Sequence, residues 1–306
     1  MDKVRKKARD RSNLVIPPAF AEGVRIERGA AGQDWLDLLP AKISEYLEKW
    51  DLTIDGAAMH GYIGIVFPVL QNQTKYALKI TWVDDETKDE ALALKLWNGD
   101  GAVKLIDAEP AEGALLLERL NSSKPLGLVE IKTAITIAAK LLRRLAISAP
   151  PEISSLKNET IDHISTAFKR WESTRQVVPK HYVQRSIDFA RELQPDIGDL
   201  LINEDLHYEN VLSAEREPWL VIDPKVVRGD IEYGAFSLLL NRLAPNTPNE
   251  ELQERFQLIV SSAEMNASRA KKWVVIRATQ YWLWALEQNY DEDSSRCRFI
   301  IESMCS

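Results

Sequence analysis

Asp205 and Asn210 stand five residues apart in the segment NEDLHYEN, and Asp223 follows thirteen residues later in WLVIDPK. Carboxylate and amide oxygens are hard donors, suited to a cation such as Mg²⁺. Phosphoryl transfer asks for such a set, because catalysis there is mostly placement and charge neutralisation. One carboxylate has to face an acceptor hydroxyl, and a second carboxylate with an amide oxygen has to hold the metal. The Asp–Asn spacing alone also fits a polar turn whose side chains cap backbone groups. The third member favours chemistry. Asp223 closes the apolar run WLVI, which reads as the second strand of a hairpin spanning 211–223, with Asn210 just before the first strand.

The elements that position these residues follow from periodicity. Apolar residues at three- and four-residue steps predict a helix over 34–50. GYIGIVFPVL and TKYALKITWV, split at Gln71-Asn72-Gln73, predict a β-hairpin within 59–83. Helix returns over 86–98 and stops at Asn98-Gly99-Asp100-Gly101. Strands are expected at AVKLID and ALLLERL, around Glu109-Pro110. Asn121-Ser122-Ser123-Lys124-Pro125 reads as turn. Helical period then dominates at 130–148, 158–175, 180–194, 234–243, 250–264 and 267–288, interrupted by the 211–223 hairpin. Trp273, Trp282 and Trp284 fall in the last of these helices and read as core packing.

The 306 residues are 45% hydrophobic and 28% charged, enough for a sizeable core. A net charge of −7 argues against a phosphate-backbone binder and suits a cationic ligand. The two cysteines, Cys297 and Cys305, make neither a disulfide framework nor a zinc site. No apolar run approaches membrane-spanning length, and the basic start, MDKVRKKARDRSNLVIPPAF, reads as a solvated tail. A cytoplasmic protein with no membrane or nucleic-acid partner is expected.

DLHYENVL with WLVIDPK resembles the catalytic and metal loops of the aminoglycoside/hydroxyurea phosphotransferases, which include streptomycin 6-kinases. EALALKLWNGDGAVKLID, ALLLERL and GAAGQDWLDLLPAKISEYLEKW are similar to the same family, in the same order. The resemblance implies an α+β, bilobal, protein-kinase-like fold. Residues 1–120 would form a small β-rich lobe with one internal helix, and 121–306 a larger, mainly helical lobe carrying the catalytic hairpin. It implies transfer of the γ-phosphoryl group of ATP, with Mg²⁺, to a hydroxyl of a small, polar, cationic acceptor such as a streptomycin-type aminoglycoside or hydroxyurea.

The resemblance also assigns roles. Asp205 would be the base or would orient the acceptor hydroxyl, and Asn210 and Asp223 would bind Mg²⁺. Lys79 would contact the ATP phosphates, with Glu90 as its partner ahead of Glu86 and Asp89. Gly61 and Gly64 would approach phosphate, although a plain hairpin bend explains them too. Backbone groups from Glu118 to Leu120 would meet adenine. Glu204, Glu209, Asp230 and Glu232 are candidate acids on the acceptor side. His207 looks structural.

Three departures stand out. Asn203-Glu204 replaces the family's His-Gly, Gly234 stands where an Asp should anchor the catalytic loop, and the phosphate loop is poor in glycine. A housekeeping amino-sugar or amino-alcohol kinase would carry the same residues. Glu204 and Gly234 also keep a nucleotide-binding pseudokinase open, against intact Lys79, Asp205, Asn210 and Asp223.

Overall fold

The structure is a computed structural model that describes residues 14–305; of the basic head read above as a solvated tail, residues 1–13 lie outside the described residues, whereas Pro18–Phe20 already belong to a helix and Phe20 is buried in the core. The chain divides into two units. One holds the residues up to Gly99 together with Val103–Arg119. The other holds Asp100–Ala102 together with Leu120 onward. The short Asp100–Ala102 segment joins the second unit through an Ala102–Val221 bridge and an ion pair between Asp100 and Arg144.

The first unit opens with α1 (Pro18–Lys49), which breaks at Gly29, where φ is 58° and ψ −134°. Periodicity revealed only the half after the break. The earlier half, AFAEGVRIERG, has few apolar residues, yet Phe20 and Val24 are buried with Leu39, Ile43 and Tyr46. Leu38, expected on the apolar face, is 66% exposed.

Strands β1 (Thr53–Ile54), β2 (Met59–His60), β3 (Gly64–Gln71), β4 (Thr74–Thr81), β5 (Leu105–Glu109) and β6 (Ala114–Glu118) form one sheet, in the order β1-β3-β4-β6-β5 with β2 also on β3. Asn72 and Gln73 turn β3 into β4 with φ of 47° and 71°, the two positive angles that a tight hairpin with right-twisted strands requires. Helix α2 (Glu90–Trp97) ends at Asn98, whose left-handed φ of 47° closes the last turn. Arg119 braces the sheet from its far end. Its guanidinium donates to the carbonyls of Tyr76 (3.0 Å) and Val69 (2.5 Å) and pairs with Asp55 at 2.7 Å.

The second unit begins with β7 (Asn121–Pro125). This segment was expected to be a turn, because Asn, Ser and Pro are turn residues. It is instead an exposed strand paired with β9. Helices α3 (Ile131–Leu145), α4 (Leu156–Ser173) and α5 (Lys180–Leu193) follow, then β8 (Leu200–Asn203), β9 (Val211–Ser213), β10 (Trp219–Val221) and β11 (Val226–Gly229). The unit closes with α6 (Ala235–Leu240), α7 (Asn249–Ser262), α8 (Ala267–Gln288) and α9 (Asp291–Cys305).

β9 and β10 pair antiparallel, as do β8 and β11, with Asn203 opposite Val226 and Leu200 opposite Gly229. β8, β11 and α9 have no counterpart in the sequence reading. The four-residue strands are too short to show a period, and DEDSSRC opens α9 with polar residues. Among the described residues no helix is long and apolar enough to cross a membrane.

Candidate active site

In the first unit Lys79 and Glu90 form a buried ion pair. Register places Lys79 mid-strand on β4, opposite Val66 on β3 and Leu115 on β6. Its ammonium donates to both Glu90 carboxylate oxygens, at 2.8 and 2.6 Å, and both side chains are under a tenth exposed. Of the three acids left open by sequence, Glu90 takes the lysine because it sits on the first turn of α2. The neighbouring hairpin tip is closed by the Gly61 amide donating to the Gly64 carbonyl at 2.9 Å. A Cβ on Gly64 would lie 3.2 Å from Thr81 Oγ1 and 3.4 Å from Lys79 Cε, so this glycine sits beside the ammonium stem. A Cβ on Gly61 would meet nothing within 4 Å.

Removing one partner of a buried pair strands the other's charge, whereas replacing both with apolar groups need not. Glu90→Ala is therefore expected to cost roughly 3–5 kcal/mol in denaturant unfolding, with most of it recovered in Lys79→Met/Glu90→Leu. Equal losses in both variants would contradict this.

Glu118 spends its amide on the Lys104 carbonyl (2.9 Å) and accepts the Lys104 amide on its carboxylate (3.1 Å). Of the stretch expected to meet adenine, that amide is already committed.

In the second unit the loop after β8 carries Glu204 and Asp205. The Asp205 amide donates to Asn203 Oδ1 at 3.2 Å, and its carboxylate, 39% exposed, lies 3.7 Å from the Lys225 ammonium. Lys225, two residues beyond Asp223, was missed. Its signal was the lysine that closes WLVIDPK. His207 accepts the Glu209 amide on Nδ1 at 3.3 Å and so caps the turn Tyr208–Asn210.

The Ile222 amide donates to the Asn210 carbonyl at 2.9 Å, one step beyond the Val211–Val221 pair. Asn210 and Asp223 therefore flank the same end of the β9–β10 hairpin. Asn210 Nδ2 lies 3.5 Å from the Asp205 carbonyl, which leaves Oδ1 as the acceptor end of the amide. Among the described residues no group of three His, Cys, Asp or Glu is placed to hold a metal. Mg²⁺ does not need one, since it binds through one or two carboxylates plus substrate phosphates and water. A carboxylate and an amide oxygen at one hairpin end fit that pattern.

The candidate acceptor-side acids separate. Asp230 is 7% exposed and accepts from Arg269 Nε (2.7 Å), Trp273 Nε1 (2.8 Å) and the Gly198 amide (2.8 Å). Glu232 is 8% exposed and accepts the Asn266 amide at 3.0 Å. Both carboxylates are used up inside the scaffold, which corrects their placement toward an acceptor. Glu209 is exposed, and its carboxylate lies over Gly127, where a Cβ would stand 1.8 Å from Oε1.

Glu204 turns inward. Its carboxylate lies 3.6 Å from Arg277 and is pushed up to about 7, first by desolvation, against the pull of Arg277 and with added repulsion from Glu159 and Asp205. It does not adopt a left-handed φ, so the loop accommodates glutamate in place of glycine without that strain. Between about 4.5 and 7 the folded protein keeps a proton that the unfolded chain has released, so this group's contribution to stability is lost as pH rises through that window. Glu204→Gln should accordingly gain stability relative to the parent from pH 5 to pH 8, read as a widening difference in denaturant midpoints. A difference that stays flat with pH would contradict the assignment.

Gly234 packs against the buried Leu142: a Cβ there would stand 2.7 Å from Leu142 Cδ2, so an Asp at this position would require Leu142 to shift. The aromatic residues of α8 are mostly core: Trp273 is 1% exposed and Trp282 3%, while Trp284, at 36%, makes a tilted contact with Tyr281 and an edge-on contact with Tyr290.

Comparison with known proteins adds identity to this geometry. Residues 49–289 match the family model of the aminoglycoside/hydroxyurea antibiotic resistance kinases. The chain is 34% identical to a hydroxyurea phosphotransferase of Kitasatospora aureofaciens, over 89% of this chain and 80% of that protein. It is 33% identical to a streptomycin 6-kinase of Streptomyces griseus, over 90% and 92% of the two chains. Among solved structures it resembles a thermostable mutant of aminoglycoside phosphotransferase APH(4)-Ia in complex with AMP-PNP and hygromycin B. That likeness has a TM-score of 0.62 at 14% identity, covering 85% of this chain and 97% of that one. The choline kinase LicA of Streptococcus pneumoniae gives a TM-score of 0.57 at 14% identity, covering 87% and 99%. These likenesses make the fold protein-kinase-like.

Proposed function

Given that the chain belongs to the family of aminoglycoside/hydroxyurea antibiotic resistance kinases and is an ATP-dependent phosphotransferase, we propose that it uses Mg-ATP to phosphorylate a hydroxyl of a small, polar, cationic acceptor. A streptomycin-type aminoglycoside is the cationic acceptor of choice, and hydroxyurea, polar but uncharged, is the alternative. The support is the relatives' own named activities together with the grouping of Asp205, Asn210 and Asp223 around β8, β9 and β10. ATP supply places the reaction in the cytoplasm.

Residues 1–120 carry the phosphate contacts and 121–306 the catalytic, metal and acceptor groups. Lys79, fixed by Glu90, meets the nucleotide phosphates, and Gly64 sits beside it. Backbone at Arg119 and Leu120 meets adenine. Asp205 accepts a hydrogen bond from the acceptor hydroxyl and aligns its oxygen with the γ-phosphorus. The proton passes to Asp205 as the new P–O bond forms and the bond to the leaving ADP oxygen breaks. A loose transition state asks little basicity of this carboxylate. Asn210 and Asp223 would hold Mg²⁺, which when bound neutralises phosphate charge. Lys225 steadies Asp205 and offsets its negative charge near an anionic nucleotide. Glu209, exposed beside the loop, meets a cationic group of the acceptor.

The test is ADP release with Mg-ATP against streptomycin, other aminoglycosides, hydroxyurea, amino sugars and choline. Turnover that depends on one of these acceptors is the expected result. Stabilisation by ATP with no turnover across the panel would overturn the proposal in favour of a pseudokinase.

A further inference from the structure

Helix α8 presents Arg269, Trp273, Arg277 and Tyr281 at successive four-residue steps, so all four lie along one stripe. The stripe meets the β8–β11 pair at two places. Arg269 and Trp273 hold Asp230, just past the end of β11, where the Gly198 amide also binds it. Arg277 Nη1 donates to the Glu204 carbonyl at 2.8 Å, just past the end of β8. Antiparallel pairing puts the end of one strand beside the start of the other, so these anchors sit at opposite ends of the pair. The lengths agree: eight helical residues rise about 12 Å, and four strand residues about 13 Å.

We infer that Arg277 is a positioning residue for the phosphoryl-transfer reaction, pinning the carbonyl that precedes Asp205 and so aiming the Asp205 carboxylate. Four observations carry this. The Glu204 carbonyl accepts two hydrogen bonds, from Arg277 and from Ser237 Oγ at 2.5 Å, and Arg277 also lies 3.2 Å from Ser237 Oγ and from the Tyr233 carbonyl. The guanidinium centre lies 4.3 Å from the Tyr233 ring centroid and 5.2 Å from that of Phe236, which limits the fork's freedom. Only 15% of the Arg277 side chain is exposed. Where an Asp would otherwise grip the loop stands Gly234, crowded by Leu142, whose Cδ2 would lie 2.7 Å from an added Cβ. The grip thus has inverted polarity: a cation donates to a loop carbonyl where an anion would have accepted loop amides.

Asp205 itself stays clear of this clamp, its amide held by Asn203 and its carboxylate near Lys225. Asn203 is fully buried, with its Nδ2 unpartnered among the described residues, and the Glu204 amide donates to the Lys225 carbonyl at 2.9 Å, so this end of the loop is held on its amide side by the approach to β11 and on the Glu204 carbonyl by Arg277 and Ser237. The inference rests on the proposed role of Asp205 at the acceptor hydroxyl.

The test uses the full chain with Arg277→Met, Arg277→Lys and Ser237→Ala, each with and without Asp205→Ala. Arg277→Met is expected to lower kcat about 100-fold, as a misaimed group does, with KM for ATP and acceptor within about threefold of the parent. Arg277→Lys, which keeps the charge and one donor, should recover part of the loss, and Ser237→Ala should lose about tenfold or less. In the Asp205→Ala background Arg277→Met should cost nothing further, because its effect passes through that carboxylate.

Hydrogen exchange of amides 203–206 gives a reading independent of turnover. It should accelerate in Arg277→Met while exchange in α3 and α8 stays protected. Loss of activity that only tracks the folded fraction, a raised acceptor KM at unchanged kcat, or unchanged loop exchange would each overturn the inference. A parent protein without turnover would remove the proposed function, while the exchange result would still decide whether Arg277 pins the loop.

Discussion

Replacing Asp205 by alanine will lower acceptor-dependent turnover by roughly 10³-fold or more, while leaving the fold and the affinity for ATP nearly intact. The fold does not need this carboxylate. It is 39% exposed and its ionic neighbour, Lys225, stands at 3.7 Å, too far for a strong hydrogen bond. Its amide, which does hold the loop, is unchanged by the substitution. Stability should therefore move by no more than about 0.5 kcal/mol. ATP-induced thermal stabilisation should persist, since the nucleotide contacts assigned to Lys79 lie elsewhere. Asp205→Asn separates the two roles of the carboxylate. An amide can still orient a hydroxyl but accepts its proton poorly, so activity between the alanine variant and the parent would assign orientation a share of the effect. An alanine variant as active as the parent would end the phosphotransferase reading of this loop.

The grouping of the candidate residues was readable because it is local. Asp205, Asn210 and Asp223 lie within nineteen residues, and the hairpin that brings Asn210 beside Asp223 is written in two apolar runs. Lys79 and Glu90 were readable as a pair because only a short connection separates β4 from α2. What could not be read is what holds these groups. Arg277 reaches Glu204 across 73 positions and Arg269 reaches Asp230 across 39, contacts that no window of sequence contains. Asp230 and Glu232 looked like acids available to an acceptor because burial is a property of the folded chain. Only the packing of α8 reveals that both are consumed. The absence of Asp at position 234 looked like a defect. The structure packs Gly234 tightly against Leu142 and brings Arg277 of another helix onto the Glu204 carbonyl, the contact from which the anchor role is inferred. Of the stripe Arg269-Trp273-Arg277-Tyr281 only Trp273 was singled out, as core packing, since arginines on a long helix more often face water.

Asp223 carries the second large effect, and its backbone makes the expected result specific. It sits at φ 50°, in the left-handed region that costs most residues energy and that Asp and Asn tolerate best. Asp223→Ala removes the proposed metal ligand and leaves a residue poorly suited to the angle. Asp223→Gly removes the ligand and relieves the angle. Both should lose at least about 100-fold in kcat/KM, because each deletes a charge that would hold the cation against the phosphates. They should differ in stability, with the glycine variant ahead by about 1 kcal/mol in denaturant unfolding. Asp223→Asn keeps the backbone preference and one oxygen while dropping the charge. It should retain stability and require a higher Mg²⁺ concentration for half-maximal rate. If the glycine, alanine and asparagine variants all kept the parent's rate at the parent's Mg²⁺ requirement, the cation would have to be held elsewhere. The pairing of Asn210 with Asp223 at one end of the β9–β10 hairpin would then be a matter of turn geometry alone.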